Sequence, residues 1–137
     1  MTNFVLDACA VVALLKNEDG GAVVESLLIH ASDEKADVFM HRANLIEVYY
    51  GFLREDGKKI AKSYVKAIEN SRINIIDNIS QKLMFKAGEL KTDYKLSFAD
   101  TFAVALAMEM DASLVTSDHH EMDVLDNNNV VSILWIR

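Results

Sequence analysis

The chain has no proline, one cysteine, one tryptophan and only five glycines in 137 residues. Each scarcity excludes something. Without proline, helix ends must be set by capping side chains and by glycine. A lone Cys9 cannot form an intramolecular disulfide, so nothing points to an oxidising compartment. No apolar run approaches the roughly 20 residues that span a bilayer. The opening Asn3-Phe4-Val5-Leu6 follows no basic residue and meets an acid at Asp7, which is not the pattern of a secretory signal. The expectation is a soluble, cytoplasmic protein with no membrane partner. Positive charge is also short: 14 Lys/Arg face 21 Asp/Glu, a net −7. That balance argues against a binder that holds nucleic acid by charge alone.

What is present is a core. Apolar residues make up 51% of the chain. A chain of this length buries roughly two-thirds of the surface its unfolded form exposes. Residues 1–137 therefore read as one domain, with no linker, repeat or low-complexity tract. The charge is also uneven. From Arg54 to Lys95 ten Lys/Arg outnumber six Asp/Glu, a local +4, and the rest of the chain carries −11. A basic middle on an acidic body is compatible with phosphate contacts at one edge. Lys58, Lys59, Lys62 and Lys66 read first as the solvated face of a helix.

Short apolar strands alternate with helical segments. Strands are expected at Asn3 to Leu6, Asp37 to His41, Ile73 to Ile76, Ser113 to Thr116 and Val130 to Ile136. Helices are expected from Ala8, broken at Gly20-Gly21, then over Ala22 to Ala31, Asn44 to Arg54, Lys58 to Asn70, Ser80 to Thr92 and Ser97 to Met110. In the fourth of these, Ile60, Tyr64, Ala67 and Ile68 share a face. In the last, Phe102 to Met108 is apolar nearly all round, which predicts a buried helix. The pattern is that of an α/β fold, a parallel sheet of about five strands covered on both faces. Ligands in such folds bind beyond the carboxyl ends of the strands.

Four acids fall at that edge. Asp7 follows the first strand and Asp118 the fourth. Glu47 is expected in the first turn of the helix after the second strand, and Asp100 in the first turn of the buried helix. Each has a plain alternative. Asp7 can cap the helix at Ala8. Glu47 can complete a capping box with Asn44, and Asp100 with Ser97. Asp118 can be a turn residue. Together they are harder to dismiss. Asp100 shares the face of Ala103, Val104 and Ala107 on the helix expected to be buried. A carboxylate there is costly unless it is paired or binds a metal. Clustered carboxylates repel, and a divalent cation removes the repulsion; all-oxygen ligation suits Mg²⁺ or Mn²⁺. Such an ion would also let an acidic protein hold a phosphodiester.

These segments resemble a known family. Val5-Leu6-Asp7, Asn44-Leu45-Ile46-Glu47-Val48-Tyr49-Tyr50-Gly51, Leu96-Ser97-Phe98-Ala99-Asp100-Thr101 and Leu114-Val115-Thr116-Ser117-Asp118 look like the four motifs of PIN domains. The likeness is strongest to VapC-type toxins of prokaryotic toxin–antitoxin pairs, and it runs in order from Asn3 to Asp118. The resemblance implies a three-layer α/β/α sandwich and Mg²⁺- or Mn²⁺-dependent cleavage of RNA. It also implies frequent homodimers and an antitoxin protein as partner. Asp7, Asp100, Asp118 and Glu47 would be both the metal ligands and the catalytic acids, with Glu47 completing the shell or orienting the attacking water. Members often carry Ser or Thr soon after the first Asp, where this chain has Ala8-Cys9-Ala10. Thr116 and Ser117 are the candidates to supply that hydroxyl, and Asn44 is a further supporting residue.

Other residues read more plainly. His119 and His120 read as exposed loop residues, since no helical HExxH pattern is present. Asp123 reads as surface before auxiliary ligand. Cys9, among Ala8, Ala10 and Val11, reads as a small core residue. Trp135 should pack on a neighbouring element or a dimer surface; Tyr49, Tyr50 and Phe52 are core or interface. Two other function classes compete. A haloacid-dehalogenase-like phosphatase needs a second Asp where Cys9 stands, and a receiver needs paired acids where Asp7 stands alone. A PIN-domain nuclease in another RNA-processing role, or a silent binding module on the same fold, would keep the architecture.

Overall fold

A computed structural model describes residues 2–137. The chain alternates β1 (Thr2–Leu6), α1 (Ala8–Leu15), α2 (Gly21–Ser32), β2 (Ala36–His41), α3 (Arg42–Asp56), α4 (Lys58–Glu69) and β3 (Ile73–Ile76). It continues through α5 (Gln81–Asp93), α6 (Phe98–Glu109), β4 (Ser113–Thr116), α7 (His119–Asn127) and β5 (Ile133–Trp135). The five strands form one parallel sheet in the order β3-β2-β1-β4-β5. With helices on both faces of the sheet, this is an α/β sandwich.

Alternate side chains of each strand enter opposite cores, as pleating requires. Leu6, Val38, Met40 and Val115 pack with α1 to α4, whereas Val5 and Leu114 pack with α5, α6 and α7. The α6 helix is buried from Asp100 to Ala107, which the all-round apolar run predicts. Because both faces are covered, the backbone ends at the sheet's carboxyl edge are where polar side chains can gather. The order of strands makes β1 and β4 neighbours although the chain leaves β1 toward β2. Their shared carboxyl end is thus the crevice where the winding reverses direction.

Without proline, caps set the helix ends. Asp7, His41, Ser80, Ser97 and Asp118 each accept a backbone N–H of the helix they open. At the α1–α2 turn Gly20 has φ 93°, and a Cβ at Gly21 would lie 2.5 Å from the Ala13 carbonyl oxygen. Only glycine closes that turn.

Several expectations are corrected. The second helix pair begins two residues early, at Arg42, because the His41 ring accepts the Ala43 N–H at 3.0 Å. Asn44 is therefore inside α3, not its cap, and Glu47 lies in the second turn, so no capping box joins them. Residues 119–127 form a helix, not a loop. Asp118 caps it, and Met122 and Leu125 bury one narrow side. The β5 strand spans Ile133–Trp135 only. On α4 the inward face is Ala61, Tyr64, Val65 and Ile68, and Ile60 is exposed. Lys58, Lys59, Lys62 and Lys66 are exposed. No described helix is long and apolar enough to cross a membrane.

Candidate metal centre

The centre is built on β1. Asp7 leaves its end buried, at 1% exposure. Its Oδ1 accepts the Ala10 N–H at 2.9 Å, capping α1. Its Oδ2 accepts a short hydrogen bond from the Thr116 hydroxyl. The same hydroxyl oxygen accepts the Asp118 N–H at 3.0 Å. Thr116 thus couples the ends of β1 and β4. The Ser117 side chain makes no hydrogen bond among the described residues.

Asp118 caps α7 by accepting the Glu121 N–H at 3.2 Å. Glu121 turns back, and its Oε2 accepts the Ser97 N–H at 3.1 Å, so it reaches the start of α6. Ser97 in turn accepts the Asp100 N–H at 3.3 Å. The outcome is a cluster in which Asp100, Asp118 and Glu121 each offer a carboxylate oxygen within 4.8 Å of the others. Glu121 is the member that sequence reasoning missed. The signal was available in Asp118-His119-His120-Glu121, which has the spacing of a cap and its third helical residue. Reading 119–120 as loop hid it.

Glu47 borders the cluster from α3, close enough for Asp118 and Glu121 to raise its pKa further. Burial is the chief cause of that rise, and the nearby Asn44 amide and Tyr50 hydroxyl oppose it. Asn44 is fully buried and its Nδ2 donates to the Ala99 carbonyl at 3.0 Å, tying α3 to the turn that carries Asp100. The Asn44 Oδ1 and Glu47 Oε1 atoms are buried with no hydrogen-bond partner.

The electrostatics are those of acids held close without a counter-charge. Burial pushes the Asp7 pKa up to about 7, against the pull of Thr116 and Ala10, and Asp118 and Glu47 add to the rise. Asp100 is raised by burial first and then by Glu121, which hydrogen-bonds it. The more exposed Glu121 is lowered, chiefly by its hydrogen bond with Asp100. Cys9 is half-buried beside the centre, not in the core. Burial and the four acids push its thiol up to about 12, which leaves it without a thiolate to use.

The discounted residues have structural roles. His119 stacks on Trp135 with ring centroids 3.8 Å apart, and it bonds Asp123 Oδ1 at 2.8 Å and the Arg137 carbonyl at 2.9 Å. Trp135 donates to Asp126 at 3.1 Å. This clasp secures the C-terminal residues to α7. Phe52 is buried, Tyr49 is half-buried and Tyr50 is exposed.

The fold agrees with comparison to known proteins. A family model described as PIN domain matches residues 4–127, and the chain belongs to that family. Among solved structures it is similar to a chain of VapBC2 from Rickettsia felis bound to a DNA fragment from their promoter. That match has 21% identity, TM-score 0.75 and coverage of 98% of both chains. It is also similar to a chain of DNA-bound VapBC from Salmonella typhimurium, with 14% identity, TM-score 0.75 and full coverage of both. A third is Mycobacterium tuberculosis VapC20, a Sarcin-Ricin loop cleaving toxin. Its identity is 15% and its TM-score 0.61, over 82% of this chain and 86% of that one. Among curated proteins none matches this chain by sequence.

Proposed function

We propose that this chain is a divalent-metal-dependent endoribonuclease that hydrolyses RNA phosphodiester bonds. In this reading it is the toxin of a toxin–antitoxin pair, cytoplasmic and homodimeric. The observation that carries it is the meeting of Asp100, Asp118 and Glu121 within 4.8 Å, beside the buried Asp7. VapBC complexes of the same fold support an antitoxin partner. The Sarcin-Ricin loop cleavage of VapC20 supports RNA as substrate.

The donor set fits Mg²⁺ or Mn²⁺. All the ligand atoms are oxygen, as hard divalent ions require. Two buried acceptors, on Asn44 and Glu47, lack any donor. No Lys or Arg forms an ion pair with the clustered acids among the described residues. Asp100, Asp118 and Glu121 would hold the ion, with Asp7 and Glu47 contributing directly or through water. When bound, such an ion lowers the pKa of a water and offsets phosphate charge.

The chain's own residues do the rest. Thr116 and the Ala10 N–H fix the Asp7 carboxylate, so its position costs no reorganisation during reaction. Glu47, at the border of the cluster, orients the attacking water toward phosphorus. Asn44 holds α3 against the Asp100 turn and so sets the spacing of these two acids. In-line attack leaves a 5′-phosphate and a 3′-hydroxyl.

The test compares the wild type with Asp100→Asn, purified identically, on a pool of structured RNAs with Mn²⁺. Asparagine keeps the shape and removes the charge. Cleavage that needs Mn²⁺ and vanishes in the variant is the expected result. Equal cleavage by both proteins would trace the activity to a contaminant and sink the reading.

A further inference from the structure

The acidic centre repels the phosphates on either side of the bond it is proposed to cut, so an RNA strand needs cations nearby. One lies on the helix that supplies Glu47. Glu47, Tyr50 and Arg54 are spaced i, i+3 and i+7 on α3, which puts them along one face. The Tyr50 hydroxyl lies near Glu47. The Arg54 guanidinium sits over the Tyr50 ring, 5.0 Å from its centroid. Seven residues of helix place Arg54 roughly 10 Å along α3 from Glu47.

Arg54 is free in a way its neighbours are not. Lys16 pairs with Glu55 at 2.7 Å, and Arg42 pairs with Glu69 and Asp77. Arg54 makes no ion pair and no side-chain hydrogen bond among the described residues, although the chain carries −7. Its position in the last turn of α3 suits the helix dipole, but that leaves all its donors unused. The exposed Tyr50 ring limits the rotamers of the guanidinium while leaving its N–H fork open to solvent. A preoriented, unpaired guanidinium beside a phosphodiester centre matches the geometry of a phosphate oxygen pair.

We infer that the Tyr50–Arg54 pair is a subsite for the RNA backbone, in which Arg54 binds a phosphate flanking the scissile one and Tyr50 holds it in place. This rests on the nuclease reading above.

The experiment measures binding of a fluorescent single-stranded RNA across a salt series, with Ca²⁺ in place of Mn²⁺, for wild type, Arg54→Gln, Arg54→Lys and Tyr50→Leu. Lys35→Gln is the control: it removes the same charge at the start of β2, on the opposite edge of the sheet. Loss of one phosphate contact lowers the slope of log affinity against log salt by about 0.7. Arg54→Gln should show that drop and bind roughly tenfold more weakly. With Mn²⁺ its KM should rise more than its kcat falls. Arg54→Lys should keep the slope, Tyr50→Leu should lose part of the affinity, and Lys35→Gln should match wild type. An Arg54→Gln protein with the wild-type slope, alongside a wild type that cleaves RNA, overturns the inference and leaves the nuclease reading standing; Arg54 would then serve a protein partner or the helix end. A wild type that neither binds nor cleaves RNA overturns the nuclease reading, and this inference with it.

Discussion

The β1–α1 and β4–α7 junctions share one local design with opposite consequences. In both, a strand ends, an Asp accepts the N–H three residues on, and a helix begins. Asp7 is sealed between the layers at 1% exposure, and its pKa rises to about 7. Asp118 is half-buried and opens toward Glu121 and solvent. The cap is a local matter of four residues. The cost of the charge depends on what other elements lay over it. Capping does not by itself account for these acids, because in each only one carboxylate oxygen serves the cap.

The same substitution at both junctions should separate them most widely. Asp7→Asn and Asp118→Asn should each lower RNA cleavage at least about a hundredfold, since Asp118→Asn removes a carboxylate from the cluster and Asp7→Asn a carboxylate beside it. Their stabilities should part. Asparagine caps as well as aspartate, so metal-free Asp118→Asn should stay within about 0.5 kcal/mol of wild type. Metal-free Asp7→Asn at pH 8 should gain about 2–4 kcal/mol, because it removes a buried charge. Urea unfolding with chelator present reads both, and equal stabilities would break the comparison.

The pH dependence of that gain has a fixed sign. The folded pKa of Asp7 is above its ordinary 3.8, so between pH 4 and about 7 the unfolded chain gives up a proton that the folded chain retains. This contribution makes metal-free wild type lose stability as pH rises through that window and level off above it. Asp7→Asn should flatten the curve. Because metal competes with the proton, Mn²⁺ should raise Tm more at pH 8 than at pH 6. A Tm gain that is larger at pH 6 would contradict the placement of a metal beside Asp7.

Thr116 joins the two junctions, and Thr116→Val tests the link. Valine keeps the shape but leaves the Asp7 oxygen and the Asp118 N–H without their partner. The expected cost is about 1–2 kcal/mol, with cleavage reduced roughly tenfold. Ser117→Ala is the smallest effect. Its side chain bonds nothing described, so stability should stay within about 0.5 kcal/mol and cleavage should hold. A large loss there would make Ser117 the source of the family's missing hydroxyl.

Much of the scaffold was legible because it rests on periodicity. The strands Ile73–Ile76 and Ser113–Thr116 and the buried run of α6 follow from short apolar stretches and an all-round apolar helix. The misses have two physical origins, an unusual cap and a short apolar pattern. His41 caps α3 through its ring, which the common preference for Ser, Thr, Asp and Asn does not anticipate. The α7 helix has only Met122 and Leu125 to bury, too little apolar pattern to stand out. Losing α7 cost Glu121, because its place in the cluster depends on a helical turn bringing it back to Ser97.

By itself the sequence determined the alternation of strands and helices, the absence of a disulfide, and the acids Asp7, Glu47, Asp100 and Asp118 at one edge. Those follow from burial period and from residues at strand ends or early in helices, which are short-range facts. Only the tertiary structure decided that Glu121 joins Asp100 and Asp118, that Thr116 bonds Asp7 across 109 positions, and that Asp7 rather than Asp118 bears the burial cost. The reason is that a carboxylate's energy is set by the dielectric and the neighbours around it, and those come from elements far away in the chain.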